Sequence, residues 1–383
     1  MTITKSSSPS AKSTVPRAMP AVIPMTVLTG FLGSGKTTVL KQLLSHPDMA
    51  GTAVIINEFG DIGLDDALVE KVEEDTVLLP SGCVCCAVRG DLVVALKKLH
   101  KQSLYGEIPP IQRVVLETTG LADPAPIVHT MMTEEDVYRI YQLDGVVTTI
   151  DAEHGLQQLD QFLEPAKQIA IADRIVVTKT DLVTPLQTLK LEARARALNR
   201  SAEILRAVKG AIAPDQLFGL GAHEPALSGA DATHWLGGEP SERAHTDHAH
   251  GDHVHGEHCG PGCGHDHHNH ALDHGHLHGI GSFSLVFTTP IDGNALSLSL
   301  QTLAAAYGPK LLRVKGIVTV EGQAKPFVVH GVQHVFYPPD VLGDWPKAAD
   351  GTPDRRSRFV FITKDLAEAV VRRHFKPFLG EAL

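Results

Sequence analysis

The sequence has 383 residues, 43% hydrophobic and 20% charged, which is enough chain for a sizeable core and for two domains. A formal net charge of −10 with no basic stripe argues against a nucleic-acid partner. No apolar run approaches the roughly 20 residues of a membrane span, so no membrane partner is expected either.

Residues 1–20 are rich in Ser, Pro and Ala, with Lys5, Lys12 and Arg17 and no acid. They lack the apolar stretch of a signal peptide, and Pro9, Pro16 and Pro20 would break the helix of a transit peptide. A disordered tail over residues 1–24 is expected. From Met25 onward, short β-branched runs alternate with helical stretches. The expected strands are Thr26–Thr29, Ala53–Ile56, Arg113–Leu116, Gly145–Ile150 and Arg174–Thr178. The expected helices lie near Lys36–Leu44, Asp91–Leu99 and Leu186–Ala197. Such alternation implies an α/β domain over 25–220, its parallel sheet covered by helices on both faces.

The first strand runs into Gly30-Phe31-Leu32-Gly33-Ser34-Gly35-Lys36-Thr37, which fits the phosphate-binding pattern G-x-x-x-x-G-K-[ST] between a strand and a helix. The glycines Gly30, Gly33 and Gly35, with Ser34 and Thr38, let backbone N–H groups surround the phosphates at a helix N-terminus. Lys36 is expected to reach the β- and γ-phosphates and the Thr37 hydroxyl to ligate Mg²⁺. The second strand leads into Asn57-Glu58-Phe59-Gly60-Asp61, where Glu58 and Asp61 offer oxygens to complete a metal shell or to position a water.

Cys83, Cys85 and Cys86 follow as a C-x-C-C run. Three thiolates at that density are soft donors suited to Zn²⁺ or Cu⁺, and the clustering of all five cysteines points to metal binding in a reducing, cytoplasmic compartment rather than to disulfides. The strand Val114–Glu117 then ends in an acid, with Gly120 three residues on. Glu117 is expected to hold Mg²⁺ through water, and the Gly120 amide to sense the γ-phosphate. Thr178-Lys179-Thr180-Asp181 closes the fifth strand and is similar to the guanine-reading N-K-x-D element. The Asp181 carboxylate can accept the two N–H groups of guanine that adenine lacks. Thr178 stands where Asn is usual and is expected to weaken a bond that braces the loop.

Thirteen of the 22 histidines fall from His245 to His278, too densely mixed with Gly and Asp for a packed core, so residues 221–280 are expected to be a flexible linker. His245, His248, His250, His253, His255, His258, His265, His267 and His268, with Cys259 and Cys263, would bind Zn²⁺, Co²⁺, Ni²⁺ or Cu²⁺ in many geometries. Residues 281–383 read as a smaller α+β domain. Its expected strands are Ser282–Thr288, Leu311–Val320, Phe327–His330 and Arg358–Thr363, and its helices Gly293–Ala306 and Lys364–Phe375.

In order, the segments GFLGSGKTT, NEFGDIGLD, SGCVCC, ETTGLADP and TKTD resemble the CobW-like metallochaperone P-loop GTPases. The resemblance resumes at Leu312–Gly316 and Arg355–Phe359. It implies a slow GTPase that uses GTP and Mg²⁺, binds Zn²⁺ or Co²⁺ through Cys83, Cys85 and Cys86, and hands the ion to a client apo-metalloprotein. A homodimer is compatible with it. Three other readings compete. One is a metal buffer or storage protein without nucleotide-driven transfer. Another is an ATP-using P-loop enzyme, against which TKTD argues. The third is a nickel-insertion GTPase, from which the C-x-C-C run and the C-terminal domain point away.

Overall fold

The computed structural model describes residues 22–57, 77–81, 89–220, 236, 278–337, 339–348 and 350–382. Glu58, Asp61, Cys83, Cys85, Cys86, the expected linker ligands from His245 to His268, and the tail before residue 22 lie outside the described residues. The chain forms two compact units that interleave in sequence. One comprises Met1–Glu153, Asp173–Pro185 and Leu205–Gly221; the other comprises His154–Ala172, Leu186–Ile204 and Ala222–Leu383.

The first unit is built on β1 (Ile23–Gly30), β2 (Thr52–Asn57), β3 (Val77–Ser81), β4 (Arg113–Glu117), β5 (Tyr141–Asp151), β6 (Arg174–Thr178) and β7 (Glu203–Ala207). They lie in the order β3-β2-β4-β1-β5-β6-β7, and the pairings among β1–β6 are all parallel. Helices α1 (Lys36–Leu44), α2 (Arg89–Leu104), α3 (Ala125–Thr133) and α4 (Glu135–Tyr138) flank the sheet. Leu28, Val54, Val115, Val147 and Val176 pack with Val39, Leu40 and Leu43 of α1. The alternating residues Val27, Val114, Leu116 and Val146 are just as buried, so the strands are covered on both faces, as their unbroken apolar runs require. The parallel β-branched strands appear where the sequence places them. β3 was not legible: it carries Pro80, which has no N–H to donate and is tolerated because β3 is an edge strand.

The second unit gathers α5 (Gly155–Gln161), α6 (Leu163–Ile171) and α7 (Pro185–Leu198) with a C-terminal antiparallel sheet. That sheet contains β8 (Ile280–Phe287), β9 (Leu311–Val318), β10 (Phe327–Val332), β11 (Val335–Phe336), β12 (Asp340–Val341) and β13 (Ser357–Lys364), in the order β11-β10-β9-β13-β8 with β12 on β10. Helix α8 (Gly293–Tyr307) links β8 to β9 across the gap that β13 fills, a split βαβ unit. One sheet face gives Phe283, Phe287, Phe359 and Phe361 to a core closed by Phe375 of α9 (Glu368–Leu379). A Cβ on Gly316 would lie 2.6 Å from the Phe359 ring, so this strand position has to be glycine. Helix α9 begins later than expected because β13 runs on through Lys364 and Asp365 turns at φ 50°. On the sheet's other face Arg358 pairs with Asp354. Burial alone would raise the Asp354 carboxyl, but the hydrogen bonds from Arg356 and the charges of Arg358 and Arg356 take it below the ordinary range.

Fully buried Asn199 ties α6 to the end of α7. Its Nδ2 donates to the carbonyls of Ile169 (2.8 Å) and Ala172 (2.9 Å). Its Oδ1 accepts from the Ser201 and Ala202 amides, each at 3.0 Å. Asn199→Ala strands these buried groups, so it should destabilise the unit by about 3 kcal/mol. Urea unfolding checks this, and a loss below about 1 kcal/mol would show that the clamp is dispensable.

Candidate functional site

Parallel strands present their C-terminal ends at one edge of the sheet. The strand order reverses about β1, where a crevice opens in sheets of this kind. Gly30, Glu117, Asp151 and Thr178 end β1, β4, β5 and β6 and therefore share that edge. Registers set their levels: Leu28 pairs with Glu117, Gly30 with Thr149, and Asp151 with Thr178.

The loop from Gly30 to Gly35 turns through positive φ at Gly30, Gly33 and Gly35 (141°, 72° and 91°). At Gly30 space is the constraint as well, since a Cβ there would fall 2.5 Å from the Thr149 carbonyl oxygen and 2.7 Å from Ser34 Oγ. Helix α1 starts on Gly35 with no side-chain cap and no acid in its first turn. A helix start of this kind, with its positive end toward the loop, favours an anion. The Lys36 ammonium donates to the carbonyls of Gly30 (2.9 Å) and Phe31 (3.2 Å), which holds a nearly buried charge against the loop.

Buried hydroxyls hold the loop from below. Ser34 Oγ and Thr149 Oγ1 are 2.6 Å apart, and Thr118 Oγ1 donates to Thr29 Oγ1 at 2.8 Å. Thr178 Oγ1 donates to the Ser34 carbonyl at 2.7 Å. Thr178, which stands where Asn is usual, thus supplies a brace through its own hydroxyl. A Cβ on Gly35 would sit 3.3 Å from the Thr178 side chain, so the phosphate loop and the T-K-T-D loop are in direct contact. Lys179 adopts φ 55° and forms an ion pair with buried Asp151 at 2.8 Å. Asp181 stands exposed in the short turn Thr180–Leu182.

On the β4 side, Thr37 Oγ1 donates to Glu117 Oε1 at 2.9 Å. A hydroxyl and a carboxylate at this spacing are hard oxygen donors and fit Mg²⁺. A Cβ on Gly120 would lie 2.6 Å from the Leu32 amide nitrogen, so Gly120 rests on the phosphate loop itself. Ile56 of β2 pairs with Glu117, and Asn57 pairs with Ser81 at the end of β3. The chain therefore leaves for Glu58 and for Cys83 from adjacent strand ends, level with Glu117.

Five contributors were not found from the sequence, the bonded pair Thr29 and Thr118 among them. Thr149 and Asp151 lie mid-strand and at a strand end, with no local signal. Gly210, at φ 79°, packs the turn after β7 onto α1, where a Cβ would be 2.7 Å from the Thr38 carbonyl oxygen. A glycine just past a strand was the one available hint.

Residues 24–206 match the family model described as CobW/HypB/UreG, nucleotide-binding domain, and residues 280–379 match the cobalamin synthesis protein CobW C-terminal domain. The chain is 30% identical over 356 residues to the zinc chaperone YjiA of Escherichia coli, covering 92% of this chain and 98% of the relative. It is 34% identical over 238 residues to the zinc chaperone CobW of Sinorhizobium, covering 54% and 65%. The crystal structure of a Zn(II)-bound YjiA GTPase from E. coli superposes with a TM-score of 0.65 at 28% identity, over 93% of this chain and 99% of the other. No helix among the described residues is long and apolar enough to cross a membrane.

The Thr178 brace can be tested directly. Thr178→Val removes the 2.7 Å bond to Ser34 while keeping side-chain volume, and should weaken GDP binding about fivefold, or roughly 1 kcal/mol. Titration of a fluorescent GDP analogue measures this, and unchanged affinity would mean that the brace does not shape the bound state.

Proposed function

The chain belongs to the CobW family of P-loop GTPases, and from that we propose that it is a metallochaperone which binds Zn²⁺ and transfers it to a client apo-metalloprotein in a GTP-dependent cycle. The observation that carries this reading is the level at which the chain segments leave the sheet. Ile56 is in register with Glu117 and Asn57 with Ser81, so the segments holding Glu58 and the three cysteines start beside the residues of the phosphate site. A likeness to a zinc chaperone over 98% of that protein's length supports it. Co²⁺ would suit the same thiolates, but the names of the relatives favour zinc.

In this mechanism the α1 N-terminus and the 30–35 backbone cradle the phosphates. Lys36 exchanges its loop carbonyls for β- and γ-phosphate oxygens. Thr37 and Glu117 would hold Mg²⁺, which would offset charge on the transferring phosphoryl group. Asp181 reads guanine through its two N–H donors. Gly120, already seated on Leu32, registers the γ-phosphate, and the Glu58–Asp61 segment orients the attacking water. No side chain is assigned as general base, in keeping with slow hydrolysis. Cys83, Cys85 and Cys86 hold zinc as cargo. The histidines and cysteines from His245 to His268 form a second, less selective set.

Zinc affinity, measured on the full chain by competition with a chelator, tests the coupling. With Mg²⁺ and a non-hydrolysable GTP analogue it should differ by about tenfold from its value with GDP, which is about 1.4 kcal/mol of coupling. The shift should vanish when Cys83, Cys85 and Cys86 are all changed to Ser. Equal affinities in both nucleotide states would overturn the chaperone reading in favour of a metal buffer. Lys36→Ala should abolish GTP turnover; undiminished turnover, followed as phosphate release, would overturn the phosphate-site assignment.

A further inference from the structure

We propose that Asp151 is a positioning residue for nucleotide-base recognition: it holds Lys179 in the backbone turn that presents Asp181 to guanine. This rests on the assignment of Asp181 as the guanine reader. Asp151 ends β5 and is 1% exposed, an unusual position for a carboxylate unless its charge is used. Both its oxygens are committed. Oδ1 accepts the Glu153 amide at 2.8 Å, which fixes the chain beyond β5, and Oδ2 accepts from the Lys179 ammonium at 2.8 Å.

Lys179 is one of the few non-glycine residues here with positive φ, at 55°. That conformation is disfavoured for a residue bearing a Cβ and persists only where surroundings enforce it. On its N-terminal side the turn is held by the bond from Thr178 to Ser34. The ion pair to Asp151 holds it through the Lys179 side chain. The Asp151–Thr178 register across β5 and β6 brings the carboxylate level with the turn, so the pair forms without an extended reach. The backbone then enters the 180–182 turn in one direction, and exposed Asp181 inherits its position from it. Because the Lys179 side chain is still 34% exposed, an ammonium that lost Asp151 would turn to water and release the turn, while the fold around it stayed intact.

The prediction concerns discrimination, which a purely structural role would leave unchanged. Affinities for GDP and IDP are measured on the full chain with Mg²⁺; the two differ by the exocyclic amine that Asp181 would read. Asp151→Asn should weaken GDP about tenfold and IDP much less, so that the GDP/IDP preference shrinks. In a Lys179→Met background, adding Asp151→Asn should change neither affinity further. Should the Asn variant fail to fold, Asp151→Ser keeps an acceptor for the Glu153 amide without the charge and carries the same expectation. An unchanged GDP/IDP ratio, or additive losses in the double variant, would overturn the proposal. Wild-type protein that prefers neither GDP nor IDP would instead overturn the assignment of Asp181.

Discussion

The ends of β1 and β5 approach so closely that position 30 has no room for a side chain, and the architecture of the nucleotide site depends on that contact. A Cβ on Gly30 would meet the Thr149 carbonyl at 2.5 Å. Because it is absent, Ser34 drops onto Thr149, and Thr178 can reach over to the Ser34 carbonyl. The same tightness recurs where Gly120 meets Leu32 and where Gly210 meets Thr38. Three close approaches thus crowd the phosphate loop and the start of α1, each at a glycine where a methyl group would force the segments apart.

What joins these segments is a run of buried hydroxyls. Thr118 bonds Thr29, Thr149 lies 3.4 Å from the Thr29 carbonyl, Ser34 bonds Thr149, and Thr178 bonds Ser34. All five residues are at most 3% exposed. Out of water, each such bond is costly to break and is strengthened by its neighbours. The residues beside Glu117 and those beside Asp181 are therefore tied through the phosphate loop rather than through solvent. A displacement of the loop by phosphate would be felt at both ends of this run.

The sheet was legible wherever burial on both faces demands an unbroken β-branched run, as in β1, β2, β4, β5 and β6. It was not legible in β3, whose Pro80 reads as a turn, nor in β7, whose Glu203–Arg206 stretch is only partly buried. Helices α3 and α6 were missed as well, since short apolar segments such as Ala125–Thr133 carry no clear period. β9 shows a different limit. Its Arg313 and Lys315 alternate with apolar residues, the pattern of a half-solvated strand, yet they are 3% and 2% exposed. Alternation tells which residues share a face, but whether that face is covered depends on the rest of the unit. The phosphate loop and the T-K-T-D element could be read locally because phosphate and base chemistry fix their spacing. Thr149, Asp151 and Gly210 act through partners distant in sequence, so nothing near them announces a role.

Donor chemistry separates the two metal ions of the proposed cycle without any need for distance. Mg²⁺ sheds water reluctantly and takes oxygen, which Thr37 and Glu117, paired at 2.9 Å, would supply. Thiolates are soft and favour Zn²⁺, so Cys83, Cys85 and Cys86 would be poor competitors for Mg²⁺. The thiolates and the hydroxyl–carboxylate pair are then not exchanged between the two ions. Beside any shared use of Glu58, the backbone offers a route for the coupling. Because Asn57 and Ser81 are paired across β2 and β3, and Ile56 is paired with Glu117, a shift of the β2 end on phosphate binding would act at once on the start of the segment toward the cysteines and on the level of Glu117, the carboxylate proposed for Mg²⁺. A switch built this way needs only two arrangements of one strand end, each favoured by a different ligand, to make the affinities of nucleotide and zinc depend on each other.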